Sequence, residues 1–148
     1  MLAMRHSVSV RCTWILLVLC GALGVARADD ADPPGRAARL ADAEGAVSLQ
    51  PAGVQEWTAA TLNRPLTTGD RLWSDQGSRA ELDLGTAAVR LGSNTGFAFL
   101  NLDDHSVQMQ LSAGTIIVAV RDLQGGESYE VDTPNIALAL QQPGVYRV

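Results

Sequence analysis

The sequence predicts an all-β fold, a single compact β-sandwich or roll of about nine or ten short, mostly antiparallel strands. Three observations support this prediction. Apolar and polar residues alternate strictly in several segments, turn-forming residues recur between these segments, and the chain after residue 28 holds no sustained helical period. Many short strands joined by turns at intervals of about ten residues are typical of β-sandwiches, rolls and barrels.

The alternating segments define the individual strands. In the segment RAELDL, the side chains of Ala80, Leu82 and Leu84 share one face and the two acids take the other. Ser106–Leu111 repeats this pattern, so both segments are predicted to be strands buried on one face. Thr115–Val120 is a continuous, largely β-branched run, which predicts a strand buried on both faces. Shorter apolar runs supply the other candidate strands: Ala46–Leu49, Ala88–Leu91, Phe97–Leu100, Ser128–Val131, Ile136–Leu140 and Val145–Val148.

The N-terminal 28 residues have the organisation of a secretory signal peptide. A start that carries two arginines precedes the nearly uncharged apolar run Cys12–Val25, and Ala26 and Ala28 supply the small-residue pattern that a signal peptidase cleaves. As a membrane span the run is too short, because about 20 apolar residues are needed to cross the hydrocarbon core. We therefore expect an exported protein, with a retained N-terminal anchor as the alternative.

Removal of this segment changes the composition of the chain. Cys12 and Cys20 both lie in it, so the mature chain has no thiol for a disulfide, for catalysis or for metal binding. The three arginines of the segment are also lost, which takes the formal net charge from −5 to −8. An acidic surface with scattered arginines lacks the concentrated basic face that phosphate backbones require, so we expect no nucleic-acid partner.

The rest of the chain divides into a leader and a domain. Residues 29–37 are acidic, contain Pro-Pro-Gly and are predicted to be a flexible leader, while residues 38–148 are predicted to form the β domain. The last residues, QQPGVYRV, are a turn and the opening of a strand. This ending favours a domain that is C-terminally incomplete, as part of a longer gene product, over an edge strand that ends at Val148.

Candidate catalytic and metal-binding residues are few. His105 is the one histidine after the signal segment, and Asp103 and Asp104 precede it. Consecutive side chains do not converge easily on one ion, and a hairpin turn explains the same residues. Glu81 and Asp83 lie on the solvent face of their strand, where no burial raises their pKa into the range of a general acid. We expect no metal, no cofactor and no enzymatic activity.

The polar stretch from Arg64 to Gly85 is predicted to be scaffold. Gly69 and Asp70 mark a turn, because glycine accepts a positive φ and the aspartate carboxylate can bond a backbone N–H two residues later. A second turn at Gln76-Gly77-Ser78 then leads into the alternating strand, and the arginines and acids take the outward positions.

Two tryptophans leave a functional alternative open. Packing in the core or at its rim is the more frequent use of Trp57 and Trp73, but an exposed tryptophan on a β-surface also serves as a platform for sugar rings or peptides. The candidate partner-binding residues are therefore Arg64, Arg71, Trp73 and Trp57.

The stretch LTTGDRLWSDQGSRAELDLGTAAVRLGSNTGFAFLNL resembles the FecR-like domain, the periplasmic domain family of the ferric-citrate regulator. The motifs that carry the resemblance are, in order, Leu66 to Gly69-Asp70, Gly77-Ser78, Ala80-x-Leu82-x-Leu84, Val89-x-Leu91, Leu111 to Gly114-Thr115, and Tyr129 to Thr133-Pro134. Together they cover about residues 38–148. No single motif is unique, and the order of the set makes it specific.

The resemblance implies an all-β domain in the periplasm of a Gram-negative bacterium, or secreted from it, that works by contact with envelope proteins. Members of the family relay a signal from an outer-membrane transporter to a cytoplasmic sigma factor. The regulators of the family carry a cytoplasmic anti-sigma segment before their membrane helix, whereas this chain has eleven residues before its apolar run. After Thr133-Pro134 the family usually continues through a Gly-Thr-x-Phe-like strand, and here QQPGVYRV stands in its place. It is therefore more similar to the exported, free-standing branch, which implies a protein-binding or sensory module in envelope signalling. The alternative is a carbohydrate- or peptidoglycan-binding module of a longer envelope protein.

Overall fold

In the computed structural model, thirteen β-strands and no helix occur in the described residues, which are 35–123 and 126–148. The predicted signal peptide, with its cleavage residues Ala26 and Ala28, and the first part of the predicted leader lie outside the described residues. The all-β prediction is confirmed. The predicted number of nine or ten strands is wrong, because four strands went unrecognised in the sequence.

The strands form two sheets. In chain order they are β1 (Ala38–Glu44), β2 (Val47–Gln50), β3 (Thr58–Ala59), β4 (Pro65–Leu66), β5 (Arg71–Ser74), β6 (Arg79–Asp83), β7 (Ala87–Leu91), β8 (Thr95–Leu102), β9 (Ser106–Ala113), β10 (Ile116–Val120), β11 (Ser128–Asp132), β12 (Ala137–Leu140) and β13 (Gly144–Arg147). The first sheet has the order β13-β10-β7-β6-β1-β4, and the second has the order β12-β11-β9-β8-β5-β2-β3. Neighbouring strands are antiparallel except for the parallel pair β9 and β11.

The apolar core lies between the inner faces of the two sheets. Leu82, Val89 and Val118 of the first sheet are fully buried, as are Met109 and Val131 of the second. The strict alternation predicted for β6 and β9 is confirmed, since their apolar residues are buried and the residues between them face outward. Burial of each large apolar side chain contributes roughly 1.5–3 kcal/mol to folding, so this core is the main source of stability.

The four unrecognised strands are β1, β3, β4 and β5. A register shift between Leu40 and Asp42 interrupts the alternation of β1. β3 and β4 have two residues each, which is too short for any period to show. β5 lies between the two predicted turns, and it pairs with β2 and β8 over its whole length.

The prediction that Thr115–Val120 is buried on both faces is wrong. In β10, Ile116, Val118 and Val120 are buried, whereas Ile117 and Ala119 are half-buried. The first sheet packs against the second through one face only, so the other face of β10 is not covered to the same degree. A run of β-branched residues therefore did not distinguish one buried face from two.

The turn at Gly69-Asp70 is confirmed, with different hydrogen bonds from those expected. Asp70 is buried, and its carboxylate accepts the backbone N–H of Thr67 at 2.9 Å and that of Ala52 at 2.8 Å, not the N–H two residues later. Arg71 follows at an outward position. Asp70 is therefore an exception to the expected outward placement of the acids in this stretch.

Candidate binding site

The outer face of the second sheet carries a set of side chains aligned by strand register. Ser48 of β2, Trp73 of β5 and Gly96 of β8 lie side by side in one row. Leu72 and Ser74, on either side of Trp73, are buried, and alternation along the strand therefore directs Trp73 to the outer face.

The next row along the same face starts at Gln50 and continues through Arg71, Ala98 and Gln110. Arg71 is two residues from Trp73 along β5, which separates their Cα atoms by about 7 Å. Gly96 and Ala98 of β8 have minimal side chains and are buried beneath the larger residues of β5 and β9.

Two clefts adjoin both tryptophans. The first has a volume of about 220 Å³ and is lined by Trp57, Arg71 and Trp73 together with Gly96, Ala98, Gln110 and Ser112 of the neighbouring strands. The second has a volume of about 360 Å³ and is lined by Ser48, Trp57 and Trp73. We call these two clefts together the tryptophan site. Trp57 is 48% exposed, so its ring is open to a ligand.

The ring of Trp73 is held in place from two sides. Its Nε1–H donates to Oδ1 of Asp75 at 2.7 Å. A Cβ atom at Gly96 would lie 3.2 Å from Cζ3 and 3.3 Å from Cε3 of the indole, which shows that the six-membered ring rests against the backbone of β8. Ser112 Oγ, whose hydroxyl donates to the carbonyl of Gly96 at 3.2 Å, closes the other side of that glycine. Trp73 is thus ordered before any ligand arrives.

Three of the four predicted site residues converge, and the fourth does not. Trp57, Arg71 and Trp73 line one cleft. Arg64 is exposed and lies just before β4 in the chain. Its backbone carbonyl accepts a hydrogen bond from the N–H of Leu40, in β1 of the first sheet, at 3.1 Å. Arg64 is not among the described residues that line either cleft of the tryptophan site.

The structure adds residues that were not recognised as site residues in the sequence, namely Ser48, Gly96, Ala98, Gln110 and Ser112. The alternation in Ser106–Leu111 predicts Gln110 on the outer face, and this pattern could have identified it as a candidate site residue. No local signal predicts that β8 lies between β5 and β9, because strand partners are set by long-range pairing.

The loop that contains His105 forms the predicted hairpin turn between β8 and β9. Oδ1 of Asp103 accepts the backbone N–H of His105 at 2.8 Å and that of Ser106 at 2.7 Å, and Oδ2 accepts Nδ2 of Asn101 at 2.8 Å. These bonds, that from Asn101 foremost, hold the pKa of Asp103 below its usual value. No cluster of three or more potential metal ligands occurs within residues 35–123 and 126–148.

The carboxylates on the outer face of the first sheet take part in ion pairs. Glu81 binds Arg90 at 2.6 Å, and Asp83 binds Arg39 at 3.3 Å and Arg121 at 3.4 Å. The backbone N–H of Gly85 is the main cause that lowers the pKa of Asp83, with the two arginines adding to it. A lowered pKa is the opposite of what a general acid needs at neutral pH.

A further polar cluster surrounds Arg36, just before β1. Its guanidinium binds Glu127 at 3.1 Å and the carbonyl of Leu84 at 3.1 Å, and it lies 6.0 Å from the ring centroid of Tyr129. The hydroxyl groups of Thr86 and Tyr129 are 2.6 Å apart in the same cluster. These bonds attach the residues before β1 to the ends of β6 and β11.

Comparisons with family models, with curated proteins and with solved structures each gave no match. Among the residues that the structure describes, no helix is long and apolar enough to cross a membrane.

Proposed function

We propose that this chain is a non-catalytic binding module of the bacterial envelope and that it holds a saccharide at the tryptophan site. The observation that carries the proposal is that Trp57 and Trp73 line the same two clefts on one exposed β-surface. Indole rings offer a rigid apolar surface with a polar edge, which suits the alternating apolar faces and hydroxyl groups of sugar rings.

The neighbours of the tryptophans support a polar ligand. Arg71, Gln110 and Ser48 bring hydrogen-bonding side chains to the clefts beside the indole rings. Ligand sites commonly combine an apolar wall with a few placed polar groups. Export to the envelope, as the N-terminal sequence predicts, would place this surface among cell-wall and surface polysaccharides.

The geometry of the candidate acids supports binding over catalysis. Asp70 and Asp103 stabilise turns through backbone N–H groups, and Glu81 and Asp83 are engaged by arginines. None of these four carboxylates lines the tryptophan site. The residues that do line it offer stacking, hydrogen bonds and one positive charge, a set suited to holding a ligand.

Isothermal titration calorimetry of the full exported chain tests this proposal, with soluble oligosaccharides of cellulose, chitin and polyuronates and with soluble wall fragments as ligands. We expect at least one of these ligands to bind, and Trp57→Ala and Trp73→Ala each to weaken it by about tenfold or more, a free-energy change of about 1.4 kcal/mol. Val145→Ala, an exposed apolar residue of the first sheet, is the control. The proposal fails if no saccharide binds, or if both tryptophan variants bind as the wild type does.

A second candidate function is the protein-binding or sensory role implied by the resemblance to FecR-like domains. The segment between β2 and β4 exposes three large apolar side chains, Val54 at 44%, Trp57 at 48% and Leu62 at 55%, and Arg64 follows them. An exposed apolar surface with arginine and tryptophan beside it is typical of protein interfaces. This role would centre on that segment, which shares Trp57 with the tryptophan site.

In-cell crosslinking of the tagged full-length product, with mass spectrometry of the envelope fraction, separates the two functions. Recovery of an outer-membrane transporter or a membrane-anchored regulator by the wild type, and its loss in Leu62→Asp with saccharide binding intact, would favour the signalling role. Recovery of wall fragments and glycan-processing enzymes alone would favour the saccharide-binding role.

A further inference from the structure

The arginines of this acidic chain fall into two groups. Of the eight in the described residues, five form ion pairs with carboxylates: Arg36, Arg39, Arg79, Arg90 and Arg121. Arg64, Arg71 and Arg147 form no ion pair with any described residue. In a chain whose acids outnumber its arginines, an exposed arginine left without a carboxylate is the exception.

Arg71 is the one member of the second group that lines the tryptophan site. Within the described part of the chain, no carboxylate lines the 220 Å³ cleft beside it. Asp75, the acid nearest to Trp73 in the chain, has its Oδ1 occupied by the indole Nε1–H. Asp132 lies in the row of Arg71, Ala98 and Gln110, but three strand spacings separate it from Arg71, a distance of about 14 Å. The positive charge of Arg71 therefore has no carboxylate partner among the described residues that line the site.

We propose that the tryptophan site takes a saccharide that carries a carboxylate, and that Arg71 binds that carboxylate while the sugar ring lies against the indoles. This inference rests on the proposed function and names the ligand class. A guanidinium matches a carboxylate with two parallel N–H···O bonds, which are stronger than bonds between neutral groups.

The spacing of the site suits one sugar unit. Trp73 and Arg71 are neighbours on the outer face of β5, about 7 Å apart at Cα, so a ring against the indole places an attached carboxylate within reach of the flexible arginine side chain. Gln110, on the far side of Ala98 in the row of Arg71, is in position to bond the hydroxyl groups of the same or the next unit.

The charge of the whole chain restricts the ligand further. The formal charge, −5 for the whole sequence and −8 after loss of the predicted signal segment, repels a dense polyanion at long range, whereas a single carboxylate at Arg71 is favoured at short range. Two kinds of saccharide supply this chemistry, uronic acids and the lactyl- or peptide-bearing sugars of the cell wall. We expect short oligosaccharides to bind as well as long chains of the same sugar.

The test compares four probes by isothermal titration calorimetry with the full exported chain. These are trigalacturonic acid, its fully methyl-esterified form, a muropeptide monomer and a neutral cello-oligosaccharide of equal length. We expect an acidic probe to bind best and the methyl ester to bind about tenfold more weakly than the acid. Binding of the uronate without the muropeptide, or the reverse, identifies the source of the carboxylate.

Variants assign the preference to Arg71. Arg71→Gln should lower the affinity for the acidic probe by about tenfold and leave the affinity for the methyl ester unchanged, while Arg71→Lys should retain part of the preference. Arg147→Gln, a second arginine without an ion-pair partner but on the other sheet, is the matched control and should change neither affinity.

Each outcome has a separate meaning. If neutral and acidic probes bind equally and depend on Trp57 and Trp73 but not on Arg71, the acidic preference is wrong and the saccharide site stands. If Arg71→Gln and Arg147→Gln weaken the acidic probe equally, the effect is one of net charge and the assignment to Arg71 is overturned. If no probe binds, this inference fails, and the proposed function fails with it if the chitin oligosaccharides do not bind either.

Discussion

The indole Nε1–H of Trp73 donates a 2.7 Å hydrogen bond to Oδ1 of Asp75, and the indole ring rests against Gly96 of the neighbouring strand. The bond is exposed, so its net contribution to folding is about 0.5 kcal/mol, at the low end for hydrogen bonds. Its main effect is on the order of the ring. We therefore expect a larger consequence for binding than for stability.

Asp75→Ala should weaken saccharide binding several-fold and leave the unfolding midpoint in urea nearly unchanged, because the ring loses its anchor and the core is intact. Asp75→Asn keeps an oxygen that accepts the indole N–H and should bind nearly as the wild type does. Calorimetry and urea denaturation of the two variants provide the measurement. Equal binding by wild type and Asp75→Ala would show that the bond does not order Trp73.

Asp70→Ala should lower the free energy of unfolding by about 2–3 kcal/mol, because the backbone N–H groups of Thr67 and Ala52 lose a charged acceptor in a buried place. Urea denaturation monitored by circular dichroism measures this change. Glu56→Ala, a fully outward acid, is the control and should change stability little. A loss below about 0.5 kcal/mol for Asp70→Ala would contradict the buried role of this carboxylate.

Gly114→Ala should be among the most destabilising single substitutions in the chain. Gly114 has a φ of +85°, and a Cβ atom there would lie 2.6 Å from the carbonyl oxygen of Asn94, where the backbone has no room to move. We expect a loss of about 3 kcal/mol or more. Gly77→Ala is the matched control, since Gly77 has a φ of +73° and no atom near the added Cβ; strain alone should cost about 1–2 kcal/mol. Equal losses of stability in the two variants would show that the structure around Gly114 shifts and relieves the close contacts of the added Cβ atom.

Asp83 should contribute to the acid dependence of stability. The N–H of Gly85, together with Arg39 and Arg121, lowers the pKa of Asp83 in the folded state. The resulting stabilisation is present above the unfolded pKa, about 3.9, and is lost as the pH falls through the lower folded value. Asp83→Asn should therefore have a lower Tm than the wild type at pH 7, and the two should converge in strong acid. Asp42→Asn, which removes an exposed acid on the same face, is the control for the loss of one negative charge.

Glu130 should have the opposite effect to Asp83 on the pH dependence of stability. The neighbouring Asp132 raises the pKa of Glu130 in the folded state, through a hydrogen bond to it and through its charge. The favourable contribution is complete below the unfolded pKa, about 4.3, and is lost as the pH rises through the folded value. Glu130→Gln should therefore raise Tm at pH 7 and give no gain at pH 3. A gain of the same size at both pH values would mean that charge repulsion is not the cause.

The fold was predictable from the sequence wherever a strand was long enough to show its period. Each segment predicted as a strand forms one, from Val47 in β2 to Arg147 in β13. Four strands do not show in the sequence: β1, which a register shift after Leu40 interrupts, β3 and β4, which have two residues each, and β5, whose four residues lie between two turns. A period needs several regular residues to appear, so the two-residue strands lie below what a pattern can detect.

The residue types of the site could be predicted from the sequence, but which of these residues lie together could not. Trp57, Arg71 and Trp73 were candidates because of their chemistry, and so was Arg64, which the structure places outside the clefts. The difference comes from pairing between strands far apart in the chain. β5 and β9 flank β8 in the second sheet, and no local feature of the sequence specifies that arrangement.

The alternation of the chain between the two sheets has a consequence for folding. One sheet consists of β1, β4, β6, β7, β10 and β13, and the other consists of the strands that lie between these in the sequence. No continuous segment of the sequence therefore contains all the strands of one sheet without strands of the other. Neither sheet can assemble from a local segment before the other is in place. Unfolding is then cooperative, without a half that survives alone, and the slow step of refolding is the search for partners distant in the chain.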